Sequence, residues 1–119
     1  MKVHILDSYG SGLNKILDWL SENVKVSELS LYKNPDTFLE KVEKERPEIV
    51  LIRLGNNNIP GLKIGKMVNM MDENIRIVFV SNEKDYAIDA YEVGAYGYLL
   101  CPVEKAKLDK CLSNIGTLN

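Results

Sequence analysis

Residues that bind metals or perform nucleophilic catalysis are scarce in this sequence. Its 119 residues include one histidine and two cysteines. Cys101 and Cys111 match no CxxC pair and no zinc-ligand spacing. Because His4 stands alone inside an apolar run, no Ser/His/Asp or Cys/His set can be assembled around it. We therefore predict no metal site, no cofactor and no enzymatic activity.

Strong charge and long apolar runs are absent as well. The formal net charge is −2, which gives no electrostatic basis for binding nucleic acid directly or an anionic membrane surface. No apolar run approaches the length of a membrane span, and the start MKVHILDSYG is too polar for a signal peptide. We expect a cytoplasmic protein with reduced cysteines, folded as one domain over residues 1–119.

Short apolar runs alternate with amphipathic segments along the whole chain. The predicted strands are Val3 to Leu6, Val24 to Tyr32, Ile49 to Arg53, Ile75 to Val80 and Tyr96 to Leu100. A predicted helix follows each strand, and the last runs from Glu104 to about Ile115. Strict alternation predicts an α/β fold, a (βα)5 doubly wound parallel five-stranded sheet with helices on both faces. We choose the strand order 2-1-3-4-5.

Local signals mark the helix ends and loops. Asn34-Pro35-Asp36 is typical of a helix start, and Gly94 of the position just past a helix end. Gly10-Ser11-Gly12 resembles a helix-entry turn more than a phosphate loop, since the GxxxxGK[ST] spacing is missing. Asn56-Asn57-Asn58 indicates a polar loop. The third helix is expected to turn these residues inward: Ile64, Met67, Val68 and Met71.

The third strand ends on a charge. Ile49 to Ile52 is an apolar run suited to a strand buried on both faces, and Arg53 follows it directly. In open α/β sheets, ligands bind at the carboxyl ends of the central strands. The predicted strand order makes the first and third strands neighbours, which brings Asp7 beside Arg53. We expect the two side chains to form an ion pair.

A combination of short motifs resembles a known family. The segment VFVSNEKDYAIDAYEVGAYGYLLCPVEKAKL is similar to the second half of response-regulator receiver domains that carry LytTR-type DNA-binding domains. Pro47-Glu48 before the third strand and Gly61, eight residues after Arg53, fall in the same register. The resemblance covers essentially the whole chain. It implies a CheY-like fold and an N-terminal position in a longer transcription regulator of a two-component system.

Receivers accept a phosphoryl group from a kinase on an aspartate at the end of the third strand. Two acids after the first strand help that aspartate to hold Mg²⁺, and a hydroxyl and a lysine bind the phosphoryl oxygens. By resemblance, this sequence places Asp7 and Ser8 at the two acidic positions and Arg53 at the acceptor position. Ser81 keeps the hydroxyl, and Cys101 replaces the lysine.

These substitutions predict a degenerate phosphorylation site. A guanidinium cannot form an acyl phosphate, and one carboxylate beside a fixed positive charge is a poor Mg²⁺ site. We therefore expect an atypical receiver that signals through protein–protein contacts without aspartyl phosphorylation. Tyr98 matches the aromatic position with which receivers relay the state of their site.

Two other functions stay open. Cys101 close to Arg53 could form a thiol, redox or small-ligand sensor, although a small residue filling the space of the missing lysine explains it as well. A conventional phosphorylated receiver is the third alternative, if Asp7 or another acid serves as acceptor.

Opposite charges on two helices suggest a dimer. Receivers commonly pair through the fourth helix, fifth strand and fifth helix, and an acidic stripe facing a basic one is self-complementary about a two-fold axis. The alternative is a pair of solvated helix faces. The residues of the predicted face are Asp85, Asp89, Glu92, Lys105, Lys107 and Lys110.

Overall fold

The computed structural model describes residues 1–10, 13–55 and 59–115. The predicted turns at Ser11-Gly12 and Asn56-Asn57-Asn58 lie outside these ranges, as does the segment 116–119. The strands are β1 (Lys2–Leu6), β2 (Glu28–Tyr32), β3 (Ile49–Arg53), β4 (Arg76–Ser81) and β5 (Gly97–Leu100). The helices are α1 (Asn14–Glu22), α2 (Pro35–Glu45), α3 (Ile59–Met71), α4 (Ala87–Glu92) and α5 (Lys105–Leu112), and a 3-10 turn at Lys84–Tyr86 precedes α4.

All five strands are parallel and lie in the order β2-β1-β3-β4-β5, which confirms the predicted topology. In the register, Leu6 lies beside Ile52, Arg53 beside Val80, and Ser81 beside Leu100. The carboxyl ends of β1, β3, β4 and β5 therefore meet at one edge of the sheet.

Each face of the sheet has its own apolar core. Side chains alternate between the two faces along each strand, so each strand supplies both cores. On one face α1 and α5 contribute Leu13, Ile16, Leu20, Leu108, Cys111 and Leu112. On the other face α2, α3 and α4 contribute Phe38, Val42, Leu62, Val68 and Ala90. Within the described part of the chain, no helix is long and apolar enough to cross a membrane.

The predicted helix signals have the expected geometry. The side-chain oxygen of Asn34 accepts hydrogen bonds from the backbone N–H groups of Asp36 and Thr37, at 2.8 and 3.2 Å. It thus satisfies two donors at the start of α2 that lack partners inside the helix. Gly94 has a φ of 102° just after α4, a backbone region that residues with a Cβ rarely adopt.

The inward face of α3 agrees with the prediction in part. Val68 is buried as predicted, and Ile64 and Met71 are partly buried, but Met67 is exposed. Leu62 and Gly65, which were not predicted to do so, face the sheet. A Cβ on Gly65 would lie 2.4 Å from Cζ of Phe79, so the absent side chain lets the helix approach that ring. The close approach sets the rotation of the helix and turns Met67 outward. β2 is also shorter than predicted, because Val24 lies in a solvent-exposed turn.

His4 is fully buried in β1. Its Nε2 lies 3.4 Å from Oε1 of Glu45, and its ring centroid lies 5.4 Å from that of Tyr32. Neither ring nitrogen has a hydrogen-bond partner among the described residues. Burial lowers the pKa of His4 below its ordinary value of 6.5, and the smaller, opposing effect of Glu45 does not reverse the shift. The imidazole is therefore neutral in the folded protein at pH 7.

This neutral histidine predicts acid sensitivity. Below pH 6.5, the ordinary pKa of His4, the unfolded chain binds a proton that the folded chain does not. The free energy of unfolding therefore decreases as the pH is lowered. The slope is at most about 1.4 kcal/mol per pH unit, and the loss ends where the pH reaches the lowered pKa. Urea unfolding of the wild type and His4→Phe across this range measures it. The wild type should lose more stability than the variant, and equal losses would contradict the assignment.

Candidate functional site

Four predicted site residues lie at the carboxyl edge of the sheet. Asp7 follows β1, Arg53 ends β3, Ser81 ends β4 and Cys101 follows β5. The parallel register places all four at the same edge, so the location of the site agrees with the sequence analysis. The contacts among the four side chains differ from the expectation in one important pair.

The two residues after β1 form bonds to nearby backbone groups. Asp7 is 6% exposed, and its Oδ1 accepts hydrogen bonds from the backbone N–H groups of Tyr9 and Gly10, each at 3.0 Å. The hydroxyl of Ser8 donates to the carbonyl oxygen of Lys33 at 2.8 Å. Lys33 follows β2, which lies on the side of β1 away from β3. The hydroxyl of Ser8 is therefore bonded toward β2, although Ser8 and Arg53 line the same groove.

The expected ion pair between Asp7 and Arg53 is absent, and that prediction was wrong. No ion pair among the described residues includes Arg53 within 4.0 Å. Its Nη1 instead donates to Sγ of Cys101 at 3.5 Å, so the side chain extends across the end of β4 toward β5. Asp7 is turned toward the amides of its own loop. Removal of Arg53 would therefore not leave Asp7 without its hydrogen-bond partners.

The two cysteines lie in different surroundings. Cys101 is half-buried and borders the core beneath α1 and α5, and its backbone N–H donates to the carbonyl oxygen of Ser81 at 2.9 Å. Cys111 is buried inside that core, where burial raises the pKa of its thiol. The structure thus brings Cys101 and Arg53 together, whereas Cys111 has a packing role.

Ser81 and Tyr98 are joined through Glu83. Ser81 is 1% exposed, and its Oγ accepts the backbone N–H of Glu83 at 3.0 Å. The hydroxyl of Tyr98 donates to the backbone carbonyl oxygen of Glu83. Burial raises the pKa of Tyr98, and the nearby hydroxyl of Ser81 opposes that rise. These contacts connect the end of β4 to β5 through the start of the following loop.

A polar cavity of about 230 Å³ lies against this edge. Arg53 also borders a neighbouring groove, between the loop after β1 and the starts of α2 and α3. Three residues of the cavity were not predicted as site residues, namely Tyr9, Asn82 and Glu83. All three lie within three residues of the end of a strand, and that position could have predicted them. The residues that line the cavity are Tyr9, Arg53, Leu54, Gly55, Ser81, Asn82 and Glu83.

The predicted dimer face has an unexpected charge arrangement. Tyr91 lines a groove together with Tyr96, the residue before β5, and with Lys107 and Lys110 of α5. Successive residues of an α-helix are about 100° apart, so Asp89 lies on nearly the opposite side of α4 from Tyr91. The acidic residues are exposed, but they are not the lining of this groove. Those acidic residues are Asp85, Asp89 and Glu92.

The basic half of that face is partly neutralised. Nζ of Lys105 lies 3.2 Å from Oδ2 of Asp109, one turn further along α5. Lys107 and Lys110 are exposed and line the groove beside Tyr91. Over residues 1–10, 13–55 and 59–115, no three His, Cys, Asp or Glu side chains converge as metal ligands would.

Comparison with known proteins identifies the family. A family model described as "Response regulator receiver domain" matches residues 9–113. The transcriptional regulatory protein BtsR of Escherichia coli is 31% identical over 117 residues, covering 97% of this chain and 48% of that protein. The sensory transduction protein LytR of Staphylococcus epidermidis is 23% identical, covering 97% of this chain and 46% of that protein. The chain thus spans about half the length of these curated relatives.

Solved structures show the same fold. The N-terminal signal receiver domain of a Bacteroides fragilis two-component response regulator has a TM-score of 0.79 at 20% identity, and covers 99% of this chain and 98% of that chain. The response regulatory domain of mrkE from Klebsiella pneumoniae has a TM-score of 0.79 at 18% identity, with coverage of 97% and 94%. Family model, relatives and fold agree: this chain belongs to the response regulator receiver domain family.

Proposed function

We propose that this chain is an atypical receiver domain of a longer transcription regulator, and that it acts through protein–protein contacts without aspartyl phosphorylation. The observation that carries the proposal is Arg53 at the end of β3, in the centre of the carboxyl edge. We infer that this is the position at which receivers carry the acceptor aspartate, and the end of β3 at the centre of the sheet supports that inference. The names of the curated relatives, BtsR and LytR, support a role in signal transduction and transcription.

The chemistry of the edge argues against phosphoryl transfer. A protonated guanidinium has no lone pair with which to attack a phosphoryl group. Asp7 is the one carboxylate of the predicted set, and its Oδ1 is occupied by two backbone N–H groups. Ser8 is bonded toward β2, and Arg53 adds a positive charge. These residues do not fit Mg²⁺, which prefers several hard oxygen ligands, and we propose no enzymatic activity.

Incubation with acetyl phosphate and Mg²⁺ tests the absence of phosphorylation. We expect no covalent phosphoryl group on the wild type by intact-protein mass spectrometry, because no side chain combines a carboxylate with a metal site. Beryllofluoride should cause no Mg²⁺-dependent shift of the amide signals of Ser81 and Tyr98. Arg53→Asp restores an acceptor carboxylate and is the matched control. A stoichiometric, hydroxylamine-labile phosphoryl group on the wild type would instead favour the conventional receiver.

We further propose that the face formed by α4, β5 and α5 is a protein-binding surface, and that one partner is a second copy. Large apolar side chains are exposed there, and grouped exposure of this kind is typical of interaction sites. The guanidinium of Arg76 lies 4.1 Å from the ring centroid of Tyr96 and restrains that ring. Lys107 and Lys110 provide positive charge at the rim. The exposed apolar residues are Ile88, Tyr91, Tyr96 and Leu100.

Sedimentation over a range of protein concentrations tests this surface. Ile88 is 74% exposed on α4, and Ile88→Asp should weaken a dimer by about tenfold or more, since a charge would be buried in the interface. Met70 is 76% exposed on α3, so Met70→Asp is a control of equal exposure outside this face. A monomer at low salt and high concentration would rule the dimer out.

A second candidate function is thiol sensing by Cys101. The observation that favours it is the 3.5 Å contact between Nη1 of Arg53 and Sγ, because a neighbouring guanidinium stabilises a thiolate. Arg53→Met should then slow alkylation of Cys101 several-fold, measured by mass spectrometry of the modified peptides. The buried Cys111 is an internal control that should react slowly in both proteins. Equal rates for Cys101 in the two proteins would exclude this function.

A further inference from the structure

The guanidinium of Arg53 has a nitrogen without a hydrogen-bond partner, and it forms no ion pair among the described residues. Among the described residues, buried side-chain nitrogen or oxygen atoms without a hydrogen-bond partner occur only in His4 and Arg53, and in Arg53 the atom is Nε. No carboxylate of the described chain lies within ion-pair distance of this side chain. Its one side-chain contact given above is a thiol, which is a weak acceptor. A partly buried cation without an anion is costly.

The cavity beside Arg53 holds groups that can bind an anion. Ser81 has a hydroxyl whose oxygen accepts the N–H of Glu83 and whose proton can rotate toward an acceptor in the cavity. Asn82 contributes an amide, and Tyr9 also lines the cavity. The volume of about 230 Å³ suits a small molecule and excludes a large one.

The carboxylates near this cavity limit the affinity but do not block the site. Glu83 is the acid that lines it, and its side chain is exposed to solvent. Asp7 is outside the lining, and its Oδ1 is bonded to two backbone N–H groups of its own loop. A ligand oxyanion would therefore meet one unpaired cation in Arg53 and one screened, exposed anion in Glu83.

We propose that this cavity binds a small oxyanion, a carboxylate or a phosphate, with Arg53 as the charged anchor. Nε lacks a hydrogen-bond partner, and an oxyanion beside the guanidinium would provide the charged acceptor that this side chain does not have. Ser81 and Asn82 donate the remaining hydrogen bonds. The inference rests on the proposed function, because it assigns reversible ligand binding to the edge at which other receivers are phosphorylated. The fraction of the domain with bound ligand then depends on the ligand concentration.

Occupancy of the cavity has a route to the surface of the domain. The hydroxyl of Ser81 accepts a hydrogen bond from the N–H of Glu83, and the hydroxyl of Tyr98 donates to the carbonyl oxygen of Glu83. A ligand that binds Ser81 therefore affects Tyr98 through Glu83. Because Tyr98 does not line the cavity, a shift of its amide signal reports this indirect effect and not direct contact with the ligand.

Titration with sodium phosphate, and separately with sodium acetate, tests the site. Sodium chloride keeps the ionic strength constant, and the readouts are amide shifts and thermal stability. At least one of the two anions should shift Ser81, Asn82 and Tyr98 in a saturable way, and the anion that binds more tightly assigns the ligand as phosphate or carboxylate. Arg53→Gln should weaken binding by about tenfold or more, the effect of losing one charge-assisted pair.

Two further variants separate this site from a general charge effect. Glu83→Gln removes the lining carboxylate and should strengthen binding by a few-fold, and it remains a test if Arg53→Gln does not fold. Lys63→Gln removes one positive charge from the exposed surface of α3 and should leave binding unchanged. Absence of saturable shifts in the wild type, or equal losses in Arg53→Gln and Lys63→Gln, would overturn the proposal. A covalent phosphoryl group would overturn the proposed function instead, so the two failures are distinguishable.

Discussion

Burial of β3 on both faces is the constraint on which the rest of the domain depends. Residues Ile49 to Ile52 are fully buried, and their backbone pairs with β1 on one side and β4 on the other. A strand fixed in this way cannot slip, because a shift of one residue would exchange its two faces. Arg53 is the first position at which the strand can carry a charge, so its location is set by the core beneath it.

The carboxyl edge is held together mainly by backbone groups. Asp7 receives two N–H groups of its own loop, Ser81 receives the N–H of Glu83, and the N–H of Cys101 binds the carbonyl of Ser81. Each loop thus closes on itself or on the adjacent strand end. This explains why Asp7 and Arg53 lie on neighbouring strands without an ion pair. It also leaves the Arg53 side chain freer to change partners than a residue inside a salt bridge.

Patterns within single segments predicted most of the fold, whereas side-chain contacts between segments were less predictable. Alternation of apolar runs predicted five parallel strands, and Asn34 and Gly94 predicted the start of α2 and the end of α4, because these signals are local. The strand order was chosen as a common order of doubly wound sheets. The rotation of α3 depends on Gly65 meeting Phe79, two residues far apart in sequence, so Met67 was misplaced. The partner of Asp7 was mistaken for the same reason: choosing loop amides over Arg53 requires the loop geometry.

Glu83 connects the edge to the α4–β5 side of the domain through its backbone. Its N–H is bonded to Ser81 and its carbonyl to Tyr98, so one peptide segment is held from both sides. A change at Ser81 that weakens the first bond frees this segment to move relative to β5, which alters the environment of the Tyr98 hydroxyl. This connection runs through backbone groups of Glu83 and does not involve the side chain of Arg53. The site and the proposed binding face would therefore stay coupled in the non-phosphorylated receiver that we propose.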